Sequence, residues 1–103
     1  MAAMNRAMFR MRIRAGMEDE YRERHRAVWP EVEQALVRAG FSRYSIFAAG
    51  RELLAYFEAE DPAAAQAQLA EDPAMHRWWA WMEPVMGDPP ADANSYREVY
   101  HLD

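Results

Sequence analysis

Residues 9 to 14 alternate without exception. Phe9, Met11 and Ile13 occupy one set of positions and Arg10, Arg12 and Arg14 the other. Successive side chains of a strand point to opposite faces, so this run reads as a strand with a single apolar face. Three guanidiniums are costly to desolvate, so the second face is expected to meet water. A sharper reading is that one of these arginines reaches an anionic or polyhydroxy ligand. Either way the chain needs a sheet whose apolar face is covered by something else.

The remaining segments supply the cover. Gly16 ends the first strand, and Glu18, Asp19 and Glu20 crowd the first turn of a helix, where the helix dipole favours anions. That helix is expected from Glu18 to Val28. Trp29-Pro30 interrupts it, because proline disfavours helical geometry in the residue before it. Pro30 then opens a second helical stretch, with Val32 and Leu36 on one stripe and Gly40 as its C-terminal cap. Phe41 to Phe47 reads as a strand, with Ser42, Tyr44 and Ile46 on one face and Phe41, Arg43, Ser45 and Phe47 on the other. Ala49-Gly50-Arg51 is a tight turn, and Leu53 to Glu58 closes a hairpin. Asp61-Pro62 and Asp72-Pro73 are two helix starts of the same kind, an N-cap followed by proline. Met75, Trp78, Trp79, Met82 and Met86 follow at helical spacing, interrupted by Pro84. Gly87 to Ser95 is a loop by composition. Tyr96, Glu98, Tyr100 and Leu102 alternate again and predict a last strand.

The order β-α-β-β-α-β is that of a ferredoxin-like plait, an α+β fold with helices on one face of an antiparallel sheet. The other face must be wet or meet a partner, and apolar residues on both faces of the middle strands point to a homodimer. A chain of 103 residues is the size of one domain. Residues 1–103 are expected to form it, with 1–5 as a flexible extension.

Composition narrows the function. A formal charge of −5 argues against nucleic-acid binding through a basic surface. No apolar run approaches the ~18 residues of a membrane span, and residues 1 to 6 lack the apolar core of a signal peptide. A cytoplasmic protein is the expectation. The chain has no cysteine, which removes thiolate chemistry. It has no lysine, which removes Schiff-base chemistry. The three histidines, His25, His76 and His101, show no metal-ligand spacing, so no metal is expected. Glycine-rich phosphate loops are absent, and no cofactor is expected.

What remains is aromatic. Tyr21 and His25 lie one helical turn apart and Trp29 falls four further on, forming a column of phenol, imidazole and indole. An imidazole suits proton exchange at neutral pH. Trp78 and Trp79 diverge by about 100° on a helix, so one can fill the core while the other lines a cleft. Tyr44 could bring a hydroxyl to the same place. Each of these has an equally ordinary reading as core packing with satisfied hydrogen bonds.

The run YRERHRAVWPEVEQALVRAGFSRYSIF, from Tyr21 to Phe47, resembles the signature of bacterial L-rhamnose mutarotases. The later RWWAWMEPVM (Arg77 to Met86) and the closing REVYHLD (Arg97 to Asp103) resemble it too. The resemblance implies a dimeric ferredoxin-like protein, without metal or organic cofactor, that interconverts the α and β anomers of L-rhamnose. It implies His25 as the proton donor, and the chemistry of ring opening makes the ring oxygen the expected recipient, with Tyr21, a bound water or another group left open as acceptor of the anomeric proton. Tyr21, Tyr44, Trp78 and Trp79 would be the residues that bind the sugar. Arg10, Arg12 and Arg14 have no place in it. Two other readings share the expected fold. One is a cofactor-free monooxygenase of the dimeric α+β barrel type, and the other a non-catalytic dimer that binds a small ligand.

Overall fold

The structure, a computed structural model, describes residues 3–103. Three antiparallel strands form one sheet: β1 (Asn5–Arg12), β2 (Ser42–Ala49) and β3 (Glu52–Ala59), in the order β1-β3-β2. Four helices accompany them: α1 (Glu18–Arg24), α2 (Pro30–Ala39), α3 (Pro62–Leu69) and α4 (Pro73–Met82). A short 3-10 turn, Glu83–Val85, follows α4. The class is α+β, as the sequence predicts.

Local chemistry explains most element ends. Asp61 accepts a bond from the Ala64 amide at 3.1 Å and Asp72 one from the Ala74 amide at 2.9 Å, so both Asp-Pro pairs cap helices. Gly40 closes α2 with φ +101°, a left-handed geometry that a side chain would strain. Register makes the sheet two-sided. Ala7, Phe9 and Met11 of β1 stand opposite Phe57, Ala55 and Leu53 of β3 on the helix-covered face. Leu53, Ala55 and Phe57 are fully buried there. Phe57 stacks on Phe41 with ring centroids 4.2 Å apart and meets the edges of Phe9 and Tyr44.

The uncovered face carries the arginines. Arg10 and Arg12 share Glu52, at 2.9 and 3.2 Å, and Arg14 reaches Glu83 at 3.3 Å. These pairs, part-buried at Arg10 and Arg12 and exposed at Arg14, neutralise the ladder and leave none of the three at a ligand cavity. Phe47 and Leu54 stand exposed on the same face.

Four expectations are corrected. The first helix ends at Arg24, with His25 as its C-cap, and does not reach Val28. Trp29 is extended, at φ −60° and ψ 134°, as the residue before Pro30 must be. It therefore leaves the Tyr21–His25 column. Phe41 precedes β2 and shares the core with Tyr44, because a bulge at Arg43, with φ 47°, breaks the strict alternation. Asn5 is already paired with Ala59, so β1 starts inside the expected extension, while residues 1 and 2 lie outside the described residues.

The fourth correction concerns the end of the chain. Tyr96 to Leu102 forms no strand. The segment runs beside the free edge of β1, held by the Arg10 amide donating to the Ala93 carbonyl at 2.9 Å and by Arg6 gripping Glu98 at 2.9 Å. Alternation alone does not make a strand; one of its faces must have something to bury against. Here Val99, Tyr100 and Leu102 are 95%, 77% and 77% exposed, so neither face is buried.

Candidate functional site

A cleft of ≈ 750 Å³ opens between the helices and the covered face of the sheet. That is ample for a monosaccharide. The five residues singled out in the sequence, Tyr21, His25, Tyr44, Trp78 and Trp79, all line it. They come from three elements. Tyr21 lies on α1 with His25 at its C-cap, Tyr44 on β2, and the two tryptophans on α4.

His25 is held tightly. Its ring stacks on Tyr21 with centroids 4.3 Å apart and meets the edge of Trp78 at 5.4 Å and 89°. Its Nδ1 lies 3.1 Å from the Tyr21 carbonyl. A carbonyl can only accept, so this contact assigns the proton of the neutral ring to Nδ1. Nε2 is left as the lone-pair nitrogen, with no hydrogen-bond partner among the described residues. Burial lowers the pKa of His25, and the bond to the Tyr21 carbonyl offsets part of that. The neutral form of the imidazole thus predominates at pH 7, with the lone pair at Nε2.

The phenols are tuned the other way. Burial pushes the Tyr44 hydroxyl up to about 12 and raises Tyr21 further, helped by the nearby Tyr44. Both stay protonated at any working pH, so each is able to donate a hydrogen bond and is a poor base. Neither hydroxyl has a protein partner among the described residues, and neither is sealed from solvent. The tryptophans divide their labour: Trp78 is buried, whereas Trp79 is 43% exposed at the rim. Between them they offer a packed wall and an accessible indole face.

The sequence profile of the L-rhamnose mutarotase family matches residues 6–102. The chain belongs to the L-rhamnose mutarotase family. Among relatives described as L-rhamnose mutarotases, one from Burkholderia orbicola is 44% identical over 84% of this chain and 85% of its own. Another, from Opitutus terrae, is 42% identical over 97% and 100%. The solved structure of an L-rhamnose mutarotase from Formosa agariphila superposes with a TM-score of 0.77 at 29% identity, covering 96% of this chain and 99% of that one. A protein from Nitrosomonas europaea, provisionally described as an antibiotic biosynthesis monooxygenase, superposes at 0.61 with 16% identity over 86% and 85%. That last likeness is one of fold.

In this member of the L-rhamnose mutarotase family, the sequence reading missed the cleft's apolar floor. Met11, Ile46, Met82 and Met86 line it alongside the aromatic groups. Their signal was present as Met82 and Met86 at i, i+4 spacing and Met11 on the apolar face of β1, but both patterns read equally well as core. Trp29 lies behind the site, its ring edge-on to Trp78 at 5.1 Å. Arg10 and Arg12 are absent from the lining. No group of three or more His, Asp or Glu side chains that could hold a metal ion occurs among the described residues. No helix there is long and apolar enough to cross a membrane.

Proposed function

We propose that this chain is a mutarotase that interconverts the α and β anomers of L-rhamnose, with His25 moving the proton and Tyr21, Tyr44, Trp78 and Trp79 holding the sugar. The observation that carries the reading is the setting of one ring. Nδ1 of His25 is tied to the Tyr21 carbonyl, so Nε2 is the free nitrogen of an imidazole that lines the cleft. Family membership supports the choice of sugar. The methionine-rich floor gives the methyl group of a 6-deoxyhexose an apolar surface.

The chemistry balances without a redox partner. Neutral His25 takes the proton of the C1 hydroxyl at Nε2, and the freed electron pair forms the C1 carbonyl as the bond from C1 to the ring oxygen breaks. The imidazolium returns the proton to that ring oxygen. Both oxygens are attached to C1, so one nitrogen can serve both. Rotation about C1–C2 in the open aldehyde presents the other carbonyl face, and reversal of the steps closes the second anomer. The phenols, kept protonated by burial, donate hydrogen bonds to sugar oxygens and fix the ring. Trp79 packs on a C–H face of the sugar, and Trp78 helps exclude water from the reacting carbon.

Saturation-transfer NMR on equilibrated L-rhamnose tests this. Exchange between the two anomeric proton signals should accelerate in proportion to added protein, with no oxygen consumed. Oxygen uptake with a quinol substrate and no anomer exchange would instead favour the monooxygenase reading.

The same proposal includes a homodimer formed through the uncovered sheet face. Its support is apolar surface that a single chain leaves in water: Phe47 at 62%, Leu54 at 37%, and the unpaired tail with Val99 and Leu102. Sedimentation should find a species near twice the 12.0 kDa chain. Phe47→Asp should shift it toward monomer by placing an unpaired carboxylate in the contact. A monomeric wild type at tens of micromolar would sink the dimer. A cytoplasmic location stays with this proposal as an expectation.

A further inference from the structure

We infer that Arg24 is a positioning residue for the proposed reaction, holding the imidazole of His25 in place through Trp81 and Trp78; this rests on the mutarotase reading of His25. Helix α1 spans only Glu18–Arg24. Seven residues cannot sustain a helix by their own hydrogen bonds, so its position must come from tertiary contacts. Tyr21 supplies one, being 5% exposed in the core.

Arg24 supplies the other. Its Nε donates to Glu20 one turn back at 2.8 Å. Its Nη1 donates to the backbone carbonyl of Trp81. Trp81 is the penultimate residue of α4, where carbonyls lack intrahelical donors and the dipole favours a cation. The guanidinium also lies over the Trp81 ring, 4.5 Å from its centroid. Only 19% of the Arg24 side chain is exposed, so these contacts are less screened than those of an ordinary surface pair.

The contacts continue without a gap to the reacting ring. Trp81 lies 5.4 Å from Trp78, and Trp78 meets His25 edge-on at 5.4 Å. Trp29 braces both indoles, at 5.1 and 5.2 Å. His25 follows Arg24 directly in the chain, so the residue that locks α1 to α4 also fixes where the imidazole begins. A fork with three simultaneous contacts demands arginine, since lysine cannot stack and bond in the same way.

The test compares Arg24→Gln, Arg24→Lys and Trp81→Leu with wild type and with Arg22→Gln, a control on the exposed face of the same helix. Trp81→Leu keeps the backbone carbonyl and removes only the ring. Folding is followed by circular dichroism, kcat and KM by anomer exchange, and the His25 titration midpoint by NMR of its ring protons. The ionisable groups that line the cleft with that ring are Tyr21, Tyr44, Arg43, Glu33 and Glu83, and none of them is altered. Arg24→Gln also removes the charge beside His25, so the midpoint is read in Arg24→Lys and Trp81→Leu, which keep it. We expect kcat to fall about 10- to 10²-fold in Arg24→Gln with KM little changed, the misplacement effect of a loosened catalytic group. Arg24→Lys should be intermediate, Trp81→Leu should follow Arg24→Gln, and Arg22→Gln should match wild type. The His25 midpoint should rise toward its unburied value in Arg24→Lys and Trp81→Leu. Folded Arg24→Gln and Trp81→Leu with wild-type kcat, and an unmoved midpoint in Trp81→Leu, would overturn the inference. So would unfolding of both alongside a wild-type kcat in Arg24→Lys. If wild type itself catalyses no exchange, the mutarotase reading fails, and the His25 midpoint still reports whether Arg24 positions the ring.

Discussion

His25→Gln should reduce protein-catalysed anomer exchange of L-rhamnose by ~10²–10⁴-fold, the contribution of one well-placed acid–base group. Glutamine keeps a polar side chain of similar reach but can neither accept nor release a proton in the working range. Binding should survive, because the aromatic wall and both phenols remain, so a weakened Kd is not expected to account for the loss. The pH profile gives a second reading of the same ring. Burial holds the pKa of His25 below 6.5, so the neutral form, the one proposed to accept the C1 proton, predominates at neutral pH and is lost on acidification. Activity should be level near pH 7 and fall as the pH drops through that depressed midpoint. Stability follows with the same sign. Between the folded-state value and 6.5 the unfolded chain binds more protons, so stability rises with pH across that window and is diminished below it. An activity that persists in His25→Gln, or one that rises on acidification, would remove His25 from the mechanism.

The sequence made the covered half of this protein readable because each signal there has a local cause. The Phe9–Arg14 alternation and the Leu53–Glu58 strand describe a surface with one wet face. Asp61-Pro62 and Asp72-Pro73 carry their own caps. The Tyr21–His25 pair survives because one helical turn separates them, whatever the helix does afterward. Trp29 did not follow, since the four-residue spacing from His25 counts only if the helix continues, and Pro30 imposes an extended residue before it. The cleft's floor was hidden because Met11, Met82 and Met86 satisfy the same periodicity whether they touch a neighbour or a ligand. Arg24 was illegible for a different reason. Its partner, the carbonyl of Trp81, is a backbone atom 57 residues away and leaves no trace in side-chain spacing. The tail from Tyr96 to Leu102 carries the pattern of a strand without a partner inside the chain, which pattern alone cannot reveal.

Phe57→Ala should be the most damaging single truncation in the core, costing about 3–5 kcal/mol. Phe57 is fully buried at the centre of the sheet's covered face. It stacks on Phe41 at 4.2 Å and meets Phe9 and Tyr44 at 6.1 and 6.3 Å, so three rings lose a neighbour together. β3 is the middle strand and cannot slide to close the gap, because β1 and β2 pin it on both sides. For a domain of this size each kcal/mol moves Tm by roughly 4–8 °C, so thermal unfolding should fall by at least about 10 °C. Phe57→Leu should cost distinctly less, because it keeps most of the buried volume and loses mainly the stacking. The pair separates two consequences of the same residue. Phe41 and Tyr44 also line the cleft, so loosening Phe57 frees the wall that carries the Tyr44 hydroxyl. Phe57→Leu should therefore remain folded at 25 °C yet raise KM for the sugar, since the proposed role of Tyr44 is to donate to bound substrate and not to take a proton. If Phe57→Leu binds sugar as wild type does while Phe57→Ala merely melts earlier, the core and the site are mechanically independent, and Tyr44 is held by β2 alone.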